Sequence, residues 1–273
     1  RHDHGRKQTI PDFAGRNDEI GELAESLSEM TEGLWLRMDA IESFAADVAH
    51  EIKNPLTSLR SAVETTARLK DPKQQRKLMT IIQEDVVRLD RLISDISDAS
   101  RLDAELSRAE TEPVDIGTML EILVDLQNTT FDNTNGGTPR IHLEGRALDD
   151  EPLMVNGIEI RLAQVFRNLF TNAVSFSETQ DRITITVSRK DGWMTVHVDD
   201  EGPGLPKGKE DAIFDRFYTD RRDLKKFGTH SGLGLSISRQ IINAHRGQLT
   251  ASNRMDADGN ILGARFTVHL STD

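Results

Sequence analysis

Apolar residues in the first part of the chain recur at intervals of three and four, the spacing of a heptad seam along one helix. The seam contains one extra four-residue step at Leu34, a stutter of the kind that locally unwinds a coiled coil. A long helix cannot bury a narrow apolar stripe by itself, so the pattern predicts a partner helix or a second copy of the chain. The positions of this stripe are Ile20, Leu23, Leu27, Met30, Leu34, Met38, Ile41, Ala45, Val48 and Ile52.

A second helix is predicted after a turn near residue 70. Asp71 is a suitable N-cap and Pro72 a suitable first helical residue, because the missing proline N–H has no helical partner there. Two antiparallel helices form a hairpin and two hairpins form a four-helix bundle, so residues 20–108 are predicted to be a dimeric helical bundle. The stripe of the second helix consists of Leu78, Ile82, Val86, Leu89, Ile93 and Ile96.

The pattern changes near Glu110–Pro113, where long helical periodicity gives way to shorter segments. Helices are predicted over Ile116–Gln127, Ile158–Ser175 and Leu233–His245. Strands are predicted over Arg140–Leu143, Arg182–Ser188, Met194–Val198, Gln248–Asn253 and Ala264–Leu270. Strands interleaved with helices and hairpins favour an α/β sandwich with a mixed sheet.

Composition narrows the possible functions. The chain has 273 residues and a formal net charge of −12, which argues against a broad contact with the phosphate backbone of nucleic acid. It lacks both a signal-peptide stretch and a run of the ~18 to 20 apolar residues that a membrane span needs. Any membrane attachment is therefore expected through an upstream segment. The absence of cysteine excludes disulfides, thiolate catalysis and cysteine–zinc sites.

The first candidate for a catalytic residue is His50, which lies in the helical segment that carries the first apolar stripe, between Val48 and Ile52. At 100° per residue its imidazole faces away from Val48 and hence towards solvent, and the next residue, Glu51, can accept a proton from it. Pro55 cannot donate to the preceding turn and predicts a bend there, while Asn54 is close enough to orient a water molecule. A zinc-protease motif would need histidine at the position of Asn54. The plainer alternative is an ordinary surface histidine.

The second candidate is a set of three segments in the C-terminal half. Asn168 and Asn172 are four residues apart and share a helix face, Asp200–Gly204 ends a strand, and Ser231–Leu235 opens the last helix. Amide oxygens suit Mg²⁺, a carboxylate can accept a hydrogen bond from an adenine amino group, and glycines let backbone N–H groups approach phosphates. Taken singly, these features are more often surface asparagines and ordinary turns; their order along one chain favours a nucleotide site.

These segments together resemble the sensor histidine kinases with a HisKA dimerisation domain and a GHKL (Bergerat-type) ATP-binding domain. The resemblance implies three domains: a partial HAMP module and signalling helix at 1–37, a dimerisation and phosphotransfer domain at 38–110, and a catalytic ATP-binding domain at 111–273. The HAMP part is the shorter match, over Asn17–Leu23. The segments similar to the family's H, N, G1, F and G2 boxes are His50–Leu56, Asn168–Asn172, Asp200–Gly204, Phe214–Phe217 and Gly232–Leu235.

The resemblance also implies a role for each matching residue. His50 is the expected phosphoacceptor, Glu51 its general base, and Asn54 the residue that places water for dephosphorylating a partner. Asn172, helped by Asn168, is expected to hold Mg²⁺. The expected ATP contacts come from Asp200 at the adenine amino group, from the glycines and leucines of the boxes, and from a lid over residues 205–231 anchored by two phenylalanines. The other residues expected to bind ATP are Gly202, Gly204, Phe214, Arg216, Phe217, Gly232, Leu233, Gly234 and Leu235.

Three positions depart from the family pattern. Ser175 stands where a basic residue often contacts phosphate, which leaves Arg216 as one candidate for that contact. His230 replaces the first glycine of the G2 box, and Arg246 replaces a glycine after the last helix. Related ATP-driven clamps place a glutamate where this chain has Asn168, and asparagine cannot take a proton from water.

The sequence therefore predicts the cytoplasmic portion of an inner-membrane sensor kinase that works as a homodimer. It is expected to bind ATP with Mg²⁺, to phosphorylate His50, and to pass the phosphoryl group to an aspartate in the receiver domain of a response regulator. Phosphatase activity towards that regulator is expected as well. Two alternatives remain, an ATPase clamp of the gyrase and Hsp90 type and a degenerate kinase that acts only as a scaffold.

Overall fold

The chain divides into two compact units, Arg1–Thr57 and Ser58–Asp273. A computed structural model describes residues 18–69, 71–106, 108–132, 139–144, 152–218 and 231–272. The N-terminal part of the predicted HAMP segment and residues 219–230 of the predicted lid, including His230, lie outside these ranges. Within the described residues, no helix has a stretch apolar enough to cross a membrane.

Helix α1 (Glu19–Thr66) confirms the first predicted helix and continues through Pro55. Its N-terminus is capped by Asp18, whose carboxylate accepts the Gly21 N–H at 3.1 Å. The large apolar side chains of the predicted seam are exposed from Ile20 to Ile41, by 46% at Leu27 to 69% at Leu23, whereas Val48 and Ile52 are half-buried. The described residues thus leave the Ile20–Ile41 part of the seam uncovered, as expected for a helix that needs a partner.

Helix α2 (Pro72–Leu106) begins at the predicted proline. The Asp71 carboxylate accepts the Lys73 N–H at 3.0 Å, so the predicted N-cap is confirmed. The helix buries Leu92 and Leu102, neither of which belongs to the predicted stripe. Helix α2 also contacts α5 of its own unit, a contact that the predicted seam does not include.

The α/β part contains a mixed five-stranded sheet and a small two-stranded sheet. In the large sheet the order is β2-β4-β5-β7-β6, with β2 parallel to β4 and the other pairs antiparallel. The small sheet, β1 with β3, was missed because four residues are too few to show a strand period. The strands are β1 (Glu112–Asp115), β2 (Arg140–Glu144), β3 (Met154–Gly157), β4 (Arg182–Lys190), β5 (Trp193–Asp199), β6 (Gln248–Met255) and β7 (Ile261–Ser271).

Three helices cover one face of the large sheet: α3 (Ile116–Asp132), α4 (Glu159–Phe176) and α5 (Gly234–Ala244). The predicted α/β sandwich is confirmed, since alternate residues of the central strands are buried against apolar helix faces. The most deeply buried residues include Leu162, Phe166 and Phe170 of α4, Ile241 of α5, Ile183 and Ile185 of β4, Met194 and Val196 of β5, and Phe266 and Val268 of β7.

The chain after α5 turns sharply. Arg246 has φ +56°, the left-handed conformation that glycine usually takes at a helix end. The Gly247 N–H then donates to the Ile242 carbonyl at 2.9 Å, which closes the helix. Arginine is therefore accommodated here at the cost of a strained backbone.

Candidate functional site

The Asp200 carboxyl lies directly after the end of β5 and is only 3% exposed. Its Oδ1 atom accepts the Ala264 N–H at 3.0 Å and the Gly202 N–H at 2.9 Å. Burial raises the pKa of this carboxyl above its usual value, and the two N–H donors and Arg254 oppose that rise. No hydrogen bond from the described residues occupies Oδ2, so one oxygen fixes the orientation while the other is available to a ligand.

The glycines that follow Asp200 allow the loop to lie close to its neighbours. A Cβ atom at Gly202 would lie 2.6 Å from the Phe176 carbonyl oxygen, at the end of α4. Gly204 has φ +73°, and a Cβ there would lie 2.6 Å from Oδ1 of Asn253 on β6. No side chain fits at either position without moving backbone or a bonded amide, so the sequence needs glycine at both.

The two asparagines of α4 lie on one face of the helix but have different surroundings. The Asn168 amide nitrogen donates to the Gly234 carbonyl at 3.2 Å and to the Ser238 hydroxyl at 3.3 Å, which ties α4 to the start of α5. No hydrogen bond joins the Asn172 side chain to another described residue. The Ser175 hydroxyl donates to the Asn172 backbone carbonyl at 2.7 Å, so this side chain bonds within α4.

The segments predicted as the F and G2 boxes meet in front of α5. The Phe217 N–H donates to the Gly232 carbonyl at 2.9 Å, and Phe217 has φ +60°. A Cβ atom at Gly232 would lie 2.7 Å from the Phe217 Cα, so only glycine permits this approach. Leu233 is buried, and its N–H donates to the Ser231 hydroxyl at 3.2 Å. The contact brings Phe217 to the N-terminus of α5, a position that favours anions.

Phe214 anchors the segment that precedes this contact. It lies in a short 3-10 helix, Ala212–Phe214, is 5% exposed, and packs edge-on against Phe266 with 6.4 Å between ring centroids. The Arg239 guanidinium of α5 lies 5.0 Å from the Phe214 ring centroid. Arg216, the predicted candidate for a phosphate contact, is exposed on the turn that follows.

Helix α2 contacts the α/β part through polar side chains that sequence reasoning missed. The Asp95 carboxyl is hydrogen-bonded to Ser231, and burial raises its pKa against the lowering effects of that bond and of Arg91. Arg161 of α4 forms an ion pair with Glu105 near the end of α2. Charged residues on a helix face usually contact solvent, so no local signal marked them as contacts.

The first unit holds the other predicted residues, His50, Glu51 and Asn54, on successive turns of α1. The side chains of His50 and Asn54 are exposed, Glu51 is half-buried, and Pro55 is buried. The Thr57 hydroxyl donates to the Lys53 carbonyl at 2.8 Å. The imidazole is thus presented on a helix surface, with a carboxylate adjacent in sequence.

Two residues at the end of β6, Asn253 and Arg254, also contact the loop after Asp200, and sequence reasoning missed both. The Asn253 amide bonds to the Leu205 backbone, and the Arg254 guanidinium bonds to the Asp200 carbonyl. They stand about 50 residues from the loop in sequence, so only the order of the strands brings them to it.

Two family models match the chain. Residues 40–105 match the His Kinase A (phospho-acceptor) domain, and residues 157–273 match the histidine kinase-, DNA gyrase B-, and HSP90-like ATPase. The chain is 51% identical over 265 residues to the sensor protein ChvG of Agrobacterium fabrum, covering 97% of this chain and 44% of that protein. It is 48% identical to the sensor protein ChvG of Rhizobium meliloti, covering 97% of this chain and 46% of that protein. The chain therefore spans less than half the length of these relatives.

Solved structures of histidine kinases match over most of the chain. One of them is the histidine kinase ThkA in complex with the response regulator protein TrrA, with a TM-score of 0.66 and 25% sequence identity. The match covers 94% of this chain and 68% of that one. The order of a helical region followed by an α/β domain is common to both.

Proposed function

The chain belongs to the sensor histidine kinases of two-component systems, and from this premise we propose that His50 receives the γ-phosphoryl group of ATP. An aspartate in a response regulator then receives the group from His50. The observation that carries the proposal is the fixed Asp200 carboxyl, with one oxygen held by two backbone N–H groups and the other available, inside a domain of the ATP-binding family. The phosphoacceptor match over residues 40–105 contains the exposed His50.

The chemistry at His50 needs a neutral imidazole. Its unprotonated nitrogen attacks the γ-phosphorus, a nitrogen–phosphorus bond forms, and the bond from phosphorus to the leaving ADP oxygen breaks. Glu51 takes the proton from the other ring nitrogen, because it is the adjacent carboxylate in the chain. Exposure of the imidazole on α1 supports this role, since the nucleophile must be reached by a nucleotide bound elsewhere.

Asp200 recognises the base of the nucleotide. Its Oδ2 atom accepts a hydrogen bond from the exocyclic amino group of adenine. Gly202 and Gly204 let the loop backbone lie close to α4 and β6, which keeps the carboxyl in place beside the base. The N-terminus of α5, which follows Gly232 and begins at Gly234, faces the phosphates, and Leu233 of the same box is buried. Arg216 supplies a positive charge in place of the basic residue that Ser175 replaces.

Asn172 and Asn168 are the residues that would hold Mg²⁺. The donor set fits, because the Asn168 nitrogen is engaged with α5 and its oxygen remains for a ligand, while the Asn172 amide has no partner among the described residues. No group of three or more histidine, aspartate or glutamate side chains in the described ranges forms a metal site. When bound, Mg²⁺ neutralises and orients the phosphate oxygens.

We infer that two copies of the chain form the helical bundle and that the domains follow the predicted division at residues 37 and 110. The exposed seam of α1 supports dimerisation through that helix. The chain is the kinase portion of a longer inner-membrane receptor and lies on the cytoplasmic side, where ATP and response regulators are found. The names of the relatives, sensor proteins more than twice as long, support this placement.

An ATPase clamp is the second candidate, but the site argues against it. A hydrolytic clamp needs a general base beside the γ-phosphate, and the Asn168 amide donates to α5 instead of offering a basic group. Water near the nucleotide is therefore not activated at this position.

Incubation with γ-labelled ATP tests the proposal. A kinase yields one acid-labile label per phosphorylated chain, and His50→Gln removes it. His142→Gln is the matched control, because His142 is also exposed but lies on β2. Label that survives in His50→Gln refutes the assignment. Steady ATP turnover without labelled protein indicates a clamp, and a chain that dimerises without label or turnover indicates a scaffold.

Asn54 provides a separate test of the phosphatase role. Asn54→Ala should leave autophosphorylation intact and slow the loss of phosphate from the regulator, because Asn54 orients water and not the nucleotide. The rates are measured with phosphorylated regulator and with labelled ATP in parallel. Equal loss of both activities means that Asn54 has a structural role.

A further inference from the structure

The loop Asp200–Leu205, here called the carboxylate loop, is held at both ends by consecutive residues of the edge strand β6. At its far end, the Leu205 N–H donates to Oδ1 of Asn253 at 2.6 Å. The Asn253 amide nitrogen in turn donates to the Leu205 carbonyl at 3.0 Å. One side chain therefore pairs with both backbone groups of Leu205, as a neighbouring strand would.

At the near end, Arg254 holds the backbone of Asp200 itself. Its Nη1 atom donates to the Asp200 carbonyl at 2.9 Å. On the sheet, Arg254 pairs with Gly263 of β7, and a Cβ atom at Gly263 would lie 2.7 Å from the Asp200 carbonyl carbon. The missing side chain at Gly263 leaves room for this carbonyl to approach β7, where the Arg254 guanidinium reaches it.

Arg254 also lies beside the carboxylate that precedes Asp200. Its Nε atom is 3.5 Å from Oδ2 of Asp199. The main partner of Asp199 is Arg265, whose Nε and Nη2 atoms donate to its two oxygens at 2.7 and 2.6 Å. Arg265 thus balances the negative charge of Asp199. The contact that only Arg254 makes, among these two arginines, is the hydrogen bond to the carboxylate loop.

We propose that Asn253 and Arg254 are positioning residues for adenine recognition. They hold the two ends of the carboxylate loop, so that Oδ2 of Asp200 meets the exocyclic amino group at hydrogen-bonding distance. This inference rests on the proposed role of Asp200. Neither residue touches the nucleotide; both act through the loop backbone.

The bonds from Asn253 and Arg254 act on the orientation of the Asp200 carboxyl. The bonds from Ala264 and Gly202 fix Oδ1 only if the Asp200 backbone stays at its observed distance from β7. A carbonyl that loses the Arg254 donor, or a Leu205 that loses both Asn253 bonds, leaves the loop free to shift by tenths of an ångström. Hydrogen bonds weaken steeply with distance and angle, so a shift of that size reduces base selectivity before it abolishes binding.

Base selectivity is the measurement that separates positioning from general stability. Calorimetric titration of the full chain with ADP and with inosine diphosphate gives the two dissociation constants, and inosine carries a carbonyl in place of the adenine amino group. We expect Asn253→Ala and Arg254→Met each to lower the preference for ADP by about fivefold or more, as for one lost hydrogen bond. Misfolded protein lowers the number of sites and leaves the ratio of constants unchanged.

The matched control is Asn260→Ala. Asn260 lies in the same β6–β7 hairpin but bonds only to Asp256 among the described residues. It should retain the wild-type ratio. A wild-type ratio in Asn253→Ala or Arg254→Met overturns the role of that residue, and a lowered ratio in Asn260→Ala shows that the effect is general to the hairpin and overturns both.

Asp200→Asn distinguishes failure of this inference from failure of the proposed function. If Asp200→Asn loses the adenine preference while the β6 variants keep it, the positioning role is wrong and the role of Asp200 stands. If Asp200→Asn keeps the adenine preference, the role of Asp200 is wrong and the inference fails with it.

Discussion

Gly263 is the position where a single added carbon atom should damage nucleotide binding most directly. It has φ +146°, and a Cβ atom there would lie 2.7 Å from the carbonyl carbon of Asp200 and 3.0 Å from the Cα of Glu201. Both neighbours are backbone atoms, so no flexible side chain can swing aside. Gly263→Ala must therefore push the carboxylate loop away from β7.

The size of the effect follows from these distances. Ordinary contact begins at 3.4 Å, so the Asp200 carbonyl carbon must retreat by at least about 0.7 Å, and the carbonyl oxygen, which lies closer to the added Cβ, by more. A movement of that size breaks the hydrogen bond between Ala264 and Oδ1 of Asp200 and misdirects Oδ2. Loss of a hydrogen bond to a charged group costs about 1.5–3 kcal/mol, which corresponds to a rise in the Kd for ADP of roughly 10- to 150-fold.

The assay is calorimetric titration with ADP, and thermal unfolding is followed by circular dichroism. Gly259→Ala is the matched control, because Gly259 has φ +83° in the same hairpin but nothing lies within 4 Å of its added Cβ. Both variants carry backbone strain of about 1–3 kcal/mol and should lose thermal stability. Only Gly263→Ala should lose affinity. Equal ADP affinity in the two variants would refute the steric argument.

Three further predictions concern the helices. Burial raises the pKa of Asp95 above the usual 3.8 of an aspartate, so the folded state keeps a proton that the unfolded state has lost as pH rises from that value. The carboxyl therefore destabilises the fold increasingly as pH rises. In urea unfolding, the free energy of unfolding of Asp95→Asn should rise relative to that of the wild type between pH 4 and pH 7, and an unchanged difference would contradict this. Glu105→Gln leaves Arg161, whose side chain is 12% exposed, without its carboxylate and should speed hydrogen exchange at the end of α2, whereas Glu64→Gln breaks only an exposed pair and should not. Leu34→Lys places a charge on the α1 seam and should lower the mass in light scattering from two chains to one; an unchanged mass would exclude the seam from the interface.

Local patterns in the sequence were enough for most elements. The helix from Pro72, the hairpin between β4 and β5 and the helix that opens at Gly234 all depend on neighbours within about four residues, through capping, turn formation and apolar periodicity. The sequence also placed His50 on a helix surface and identified the candidate residues of the nucleotide site, because their types and order are themselves the signal.

Tertiary structure decided which atoms meet. Oδ1 of Asp200 accepts a hydrogen bond from Ala264, the Asn168 amide donates to Gly234, and Asp95 is hydrogen-bonded to Ser231. More than 60 residues separate the two members of each pair in the sequence. The order of strands β5, β7 and β6 brings Asn253 and Arg254 to the carboxylate loop. Periodicity records which face of an element is apolar, but it carries no information about which distant backbone group a polar side chain will reach. That choice is made only when the sheet and its helices pack together.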